Sequence, residues 1–179
     1  LAQMSLPQKI EQTIAVLQQA ARDFAPACFA NSLGAEDMVL TDLIARHQPD
    51  IRMFSLDTGR LPQETYDLMQ EVRNHYAITL QVYFPDSALV EEYVAQHGIN
   101  GFYDSVENRK GCCFVRKVEP LKRALAGKQA FLDAYLLSRP QAANEVVEWL
   151  LSEGSMFSRQ VTISDATTFL DRLLRRKIR

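Results

Sequence analysis

The chain has 179 residues, 47% hydrophobic and 23% charged, with a formal charge of -2 at pH 7. That composition supports one globular domain with a core, and the near-neutral balance gives no global case for nucleic acid or membrane binding. No apolar run approaches membrane-spanning length and the first residues lack a signal-peptide pattern, so a cytoplasmic protein is expected, although the sequence opens on Leu1 and the gene product can extend beyond it.

Leu6-Pro7-Gln8-Lys9-Ile10 opens a helix that Ser5 can cap, with Pro7 tolerated in the first turn. Ile10, Ile14, Leu17 and Ala21 fall on one face at helical spacing, and Phe24-Ala25-Pro26 stops the run. The strand-like Ala27-Cys28-Phe29-Ala30 leads into Asn31-Ser32-Leu33-Gly34-Ala35-Glu36-Asp37. Met38, Leu40, Leu43 and Ile44 then give a second helix its apolar side, up to His47-Gln48-Pro49-Asp50. Ile51 to Leu56 reads as a strand that delivers Asp57-Thr58-Gly59-Arg60 at its C-terminal end. A helix follows Pro62, carrying Tyr66, Leu68, Met69 and Val72, and Ile78 to Tyr83 reads as a third strand. This alternation predicts a three-layer α/β/α fold with a mainly parallel sheet, whose ligands bind outside the carboxyl ends of the strands.

Both loops lie on that edge. In the first, a small turn before a helix lets the backbone approach a ligand, and the helix's free N–H groups then face an anion; Ser32 adds a hydroxyl donor and Gly34 removes a Cβ. The competing reading is that Asn31 or Ser32 merely caps a helix whose first turn holds Glu36 and Asp37. In the second loop Asp57, Thr58 and Gly59 suit a ribose or adenine edge, or else form an Asx-turn and cap before the Pro62 helix, with Arg60 by default a solvated charge. A third segment, Asn108 to Arg123, places Cys112-Cys113 among Arg109, Lys110, Arg116, Lys117, Lys122 and Arg123. Three cysteines, two of them adjacent, do not make a secreted disulfide framework, and neighbours cannot close an ordinary disulfide without strain. A shared soft metal or cluster is one reason to pair them; a basic amphipathic helix with two core cysteines is the other.

Together the three segments resemble the assimilatory adenylyl-sulfate and phosphoadenylyl-sulfate reductases, over about residues 10 to 130. The resemblance implies an adenine-nucleotide alpha-hydrolase-like fold in which Ser32, Leu33, Gly34, Ala35, Glu36 and Asp37 form a modified PP-loop for the sulfate and phosphate end of the nucleotide. The segment from Leu56 to Tyr66, with Asp57, Thr58, Gly59 and Arg60, is similar to the loop that packs around the adenosine. Cys112-Cys113 followed by Arg116-Lys117-Val118-Glu119-Pro120-Leu121-Lys122 is similar to the form that carries a [4Fe-4S] cluster and uses adenylyl sulfate. Arg116 and Lys117 are then substrate-binding, and Lys117 lies between cluster and substrate, where its charge stabilises the sulfonate. The implied reaction yields sulfite and AMP, or PAP from phosphoadenylyl sulfate, through attack of a C-terminal cysteine on sulfur and release of sulfite by thioredoxin.

The sequence departs from that pattern after Cys113, where no further cysteine occurs. It lacks the second Cys-x-x-Cys pair, an arginine-bearing segment after the strand near residue 130, and a Glu-x-x-Cys-Gly type tail. The cluster is therefore expected to be incomplete or absent in this chain, and Cys28, on an apolar strand, reads as a core thiol. Residues 131–179 carry no family match and are expected to form a helical C-terminal extension of a single domain spanning 1–179, with helices from Pro140 to Leu151 and from Ser164 to Leu174 and a basic end at 175–179. The Phe169, Leu170, Leu173 and Leu174 stripe suits a core or a dimer contact, so a homo-oligomer stays open. Two other readings stand beside the reductase: a nucleotide-binding module that is non-catalytic or truncated, and an ATP-pyrophosphatase-like adenylyl transferase, against which Leu33, Ala35 and Glu36 argue.

Overall fold

The computed structural model describes residues 5–133. The helices expected at 140–151 and 164–174, the apolar stripe between 169 and 174 and the basic end at 175–179 lie outside the described residues. Within them the chain forms four strands and six α-helices, with short 3-10 and π-helical turns in the last connection.

Helix α1 (Leu6–Asp23) begins at a reciprocal capping box: Gln8 N–H donates to Ser5 Oγ, and Ser5 N–H to Gln8 Oε1 at 2.8 Å. Its buried face is Lys9, Thr13, Leu17 and Ala20, so the expected stripe is turned by about one position. Ile14 and Ala21 still pack on the core, but Ile10 is 39% exposed. Thr13 Oγ1 donates to the Lys9 carbonyl at 2.9 Å, and a hydroxyl satisfied within its own helix can be buried where a purely apolar count places an isoleucine.

Strands β1 (Ala27–Ala30), β2 (Arg52–Leu56), β3 (Leu80–Tyr83) and β4 (Ala130–Asp133) form one parallel sheet in the order β3-β2-β1-β4. The chain builds outward from β1 to β3 and then returns to the other side of β1, so the order reverses beside β1. Such a reversal opens a crevice at the strands' carboxyl ends, where the loops after β1 and β2 leave the sheet.

Alternation divides the strand side chains between two faces. Phe29, Met53, Leu80 and Leu132 pack under α1, α2 (Ala35–His47) and α3 (Gln63–His75), which contribute Leu17, Ala20, Leu40, Leu43, Ile44, Met69 and Val72. Cys28, Phe54 and Phe131 face the other way, against Ala124 and Leu125 of α6 (Glu119–Leu125). Phe54 meets Tyr83 edge-on at 5.8 Å between ring centroids. The expected parallel α/β/α arrangement is therefore present.

The return from β3 to β4 also holds α4 (Ser87–His97), a 3-10 turn (Gly101–Tyr103), α5 (Val106–Cys113) and a π-helical turn (Phe114–Val118). Sequence reading assigned nothing to α4 or the 3-10 turn. The marks of α4 were present: Asp86 Oδ1 accepts from Leu89 N–H at 3.1 Å, and Gly98 at φ 76 ends the helix. Among the described residues no helix is long and apolar enough to cross a membrane.

Phe29, fully buried in β1, and the half-exposed Ile10 separate the two accounts of α1 and the core. Phe29→Ala is expected to lower unfolding free energy by about 3–5 kcal/mol, while Ile10→Ala changes it by about 0.5 kcal/mol or less. Urea denaturation of the two variants checks this; equal losses would restore the stripe centred on Ile10.

Candidate functional site

The loop after β1 is held by a closed set of side-chain bonds. Asn31, 2% exposed, donates its main-chain N–H to the Phe54 carbonyl at 2.8 Å and its Nδ2 to Thr41 Oγ1 at 2.8 Å. Its Oδ1 accepts from Leu33 N–H at 2.8 Å, and Thr41 Oγ1 passes its proton to the Asp37 carbonyl at 2.7 Å. Asp37 Oδ2 reaches back to accept from Ser32 N–H at 2.7 Å and from the Ser32 hydroxyl. Helix α2 thus starts at Gly34 with no side-chain cap, and neither Asn31 nor Ser32 plays that part.

The left-handed residue of this loop is Leu33, at φ 65, while Gly34 lies at an ordinary φ of -68. A non-glycine residue held there is strained, and the Asn31 bond to its amide holds it. A Cβ on Gly34 would lie 3.5 Å from Glu36 Oε2, an ordinary contact, so the fold itself does not require glycine there. The Ser32 hydroxyl donates to Asp37, so it is engaged within the loop rather than free as the outward donor expected of it.

The loop after β2 begins with Asp57 N–H donating to the Tyr83 carbonyl at 3.0 Å. Asp57 Oδ1 accepts from Gly59 N–H at 2.7 Å and from the Tyr66 hydroxyl at 2.9 Å, and that second bond pushes the Tyr66 phenol above its usual range. Thr58 Oγ1 accepts from Arg60 N–H at 3.3 Å. The Asx-turn is therefore real, yet it does not exhaust Asp57, whose Oδ2 makes no hydrogen bond among the described residues. Gly59, at φ 69, suits its left-handed backbone, and an added Cβ would also lie 3.2 Å from Arg116 Nη1, a tight contact that the arginine's end would have to give way to.

Arg60 is exposed, as its default reading had it, but it is not a free charge. It bonds the Ile99 carbonyl and the Asn100 side chain and lies over the Phe102 ring. Arg116 Nη1 donates to the Thr58 carbonyl at 2.8 Å, fastening the third segment to the second loop. Sequence reading placed Tyr66 in this segment without its bond to Asp57, and it missed Asn100 and Phe102, whose contacts lie about 40 residues away and leave no local pattern.

Cys112 is half-buried and Cys113 exposed at the end of α5, and the helix widens into the π turn immediately afterwards. Helix-interior π turns recur at functional sites because they re-aim the side chains they carry; here those include Arg116 and Lys117. Lys117 is exposed and forms no hydrogen bond or ion pair among the described residues. Arg123 is tied to Glu119 at 2.6 Å and to the Phe84 carbonyl.

A [4Fe-4S] cluster takes four thiolates. Cys112 and Cys113 offer two, and the sequence holds one other cysteine, Cys28. That thiol is 1% exposed, bonded to the Ala130 carbonyl at 3.5 Å, and pushed up to about 12 by burial. Among the described residues no group of three or more His, Cys, Asp or Glu is placed to hold a metal ion. Within these 179 residues Cys112 and Cys113 are the thiols placed to share a cluster, and Cys28 is the core thiol expected of it.

Comparison with known proteins fits this layout. The sequence model of the phosphoadenosine phosphosulfate reductase domain matches residues 26–134. The adenosine 5'-phosphosulfate reductase of Allochromatium vinosum is 49% identical over 128 residues, covering 72% of this chain and 50% of that protein. That of Burkholderia cepacia is 46% identical over 127 residues, covering 71% and 51%. The crystal structure of phosphoadenylyl-sulfate reductase from Candida auris, as a phosphate complex, superposes with a TM-score of 0.57 at 27% identity, over 74% of this chain and 68% of that one. The chain belongs to the phosphoadenosine phosphosulfate reductase family, a family of oxidoreductases. It spans about half the length of the curated relatives it matches.

Two outcomes check the site. In the folded, metal-free chain at about pH 8, iodoacetamide is expected to label Cys112 and Cys113 and spare Cys28, as read by peptide mass; comparable labelling of Cys28 would contradict its burial. Burial also pushes the Asp37 carboxyl above the usual aspartate range, against the Ser32 bonds that favour its charge. The native state then keeps this proton longer than the unfolded chain, so the stabilisation is full below the ordinary aspartate range and is lost as pH rises through the native pKa. Asp37→Asn is expected to flatten that decline in urea midpoints taken from about pH 4 upward; an unchanged slope would assign the decline elsewhere.

Proposed function

We propose that this chain is the nucleotide-binding part of a reductase that converts adenylyl sulfate to sulfite and AMP in sulfate assimilation. The observation that carries the reading is the Arg116 bond to the Thr58 carbonyl, which ties the end of the Cys112-Cys113 helix to the loop proposed to receive the nucleoside. The relatives from Allochromatium vinosum and Burkholderia cepacia are named for adenylyl sulfate, and the double-cysteine form favours it over phosphoadenylyl sulfate.

In this reading the sulfate and phosphate end lies against Gly34 and the first amides of α2, where the helix dipole favours negative charge. That the Candida auris structure is a phosphate complex supports an anion site on this fold. Asp57 Oδ2 accepts from a ribose hydroxyl beside Thr58 and Gly59, and Lys117 sets its charge against the sulfonate, where it counts most as negative charge gathers on the departing phosphate. The transfer forms a sulfur–sulfur bond to a cysteine thiolate while the sulfur–oxygen bond breaks and its electron pair leaves with AMP; a dithiol such as thioredoxin then reduces the S-sulfocysteine and frees sulfite.

No cysteine follows Cys113 in the 179 residues, so this polypeptide is proposed to bind rather than turn over on its own. An iron–sulfur cluster, a thioredoxin partner, a homo-oligomer and a cytoplasmic location belong to the same proposal for the whole protein. The incomplete cysteine set favours one other reading, a binding module without chemistry.

Calorimetry with adenylyl sulfate, followed by a sulfite assay with reduced thioredoxin, tests these. Binding without sulfite is expected of the 179-residue chain. Sulfite release would overturn placement of the nucleophile outside it, and absence of binding would sink the nucleotide site. Lys117→Ala is expected to weaken binding about tenfold, as for loss of a charged contact, and Lys128→Ala to leave it unchanged; equal effects would remove Lys117 from the site.

A further inference from the structure

Three contacts converge on Arg60. Nη1 donates to the Ile99 carbonyl at 2.8 Å, Nη2 donates to Asn100 Oδ1 at 2.9 Å, and the guanidinium carbon lies 4.7 Å from the centre of the Phe102 ring. Both terminal nitrogens and one face of the group are therefore engaged by the turn between α4 and α5. A planar fork matched to two acceptors over an aromatic ring is a geometry that arginine supplies and lysine cannot. Arg116 grips the same loop from the other segment, through Thr58. Between the two anchors stands Gly59 at φ 69, a residue with no side chain of its own to restrain the loop.

We infer that Arg60 is a positioning residue: it fixes the contour of the 57–60 loop by fastening it to Ile99, Asn100 and Phe102, and does not itself touch the nucleotide. The inference rests on the nucleotide reading of this loop. A loop ordered beforehand adds no ordering cost when the ligand arrives, whereas a released loop is competent only part of the time and binds correspondingly more weakly. Asn100 allows the tether to be cut from its far end, because its side chain caps no helix.

The test uses the 179-residue chain in two arms: hydrogen exchange of peptides covering 57–60 without ligand, and calorimetric titration with AMP. Arg60→Ala and Asn100→Ala are both expected to speed exchange in the loop. Arg60→Ala weakens AMP binding about tenfold and Asn100→Ala about threefold, and the double variant is no weaker than Arg60→Ala alone, because one tether is lost only once. Arg60→Lys keeps the charge but not the fork and stays near the alanine value. Wild-type exchange and affinity in Asn100→Ala, or affinity restored by Arg60→Lys, would overturn the inference in favour of a direct charge on the ligand. If the unaltered chain binds no AMP, the nucleotide reading fails, and the exchange arm still decides whether the tether exists.

Discussion

Strand β1 is enclosed on both sides, registering Cys28 to Ala30 against Arg52 to Phe54 and Ala27 to Ala30 against Ala130 to Asp133. A chain leaving such a position must satisfy its polar groups within the protein, since water is not at hand to do so. Asn31 meets that demand with its amide and both ends of its side chain, and the rest of the loop follows from it. The bond to Leu33 holds that residue left-handed; Thr41 links Asn31 to the first turn of α2; Asp37 closes the circuit on Ser32. The arrangement uses up the loop's hydroxyl and amide side chains internally and leaves main-chain N–H groups at the crevice. Within this loop an anion would meet shape and dipole, and any charged side chain against it has to come from another segment, as proposed for Lys117.

The two loops differ in how they are held. The first is stabilised from beneath, by side chains within ten residues of one another and by the Asn31 amide bond to β2. The second is stabilised from above, by guanidinium groups from Arg60 and Arg116 that connect it to the long return between β3 and β4. That return also carries the cysteine pair, so the second loop and the cysteines share a mechanical support. Where the family pattern reads them as separate motifs, the structure joins them through Thr58.

Local periodicity made much of this legible. The three strands and helices of the first half were readable because each buries one side, and the Ser5 cap and Pro62 boundary were visible as short patterns, though the Gln8 half of the capping box was not read. The two loops could be placed on one edge because parallel connectivity demands it. The limits are equally physical. The buried face of α1 was misplaced because Thr13 satisfies its hydroxyl on Lys9, which no hydrophobic count records. Helix α4 was passed over although Asp86 and Gly98 marked its ends. The contacts of Arg60 and Arg116 reach 39 to 58 residues along the chain and exist only once the sheet has brought their segments together.

The return of the chain to β1 has a consequence for the protein's first seconds. Cys28 and Ala130, neighbours in the sheet, are 102 residues apart in sequence. At ordinary rates of synthesis about 5–20 s separate their emergence from the ribosome. Once β2 has followed, β1 can pair with it, but its other edge has no native partner until β4 is made, and an open apolar edge is a template for pairing with other chains. The short length of β1, four residues, limits what such an encounter could gain. The strand that later lies at the centre of the sheet is thus the one most in need of brevity while it waits.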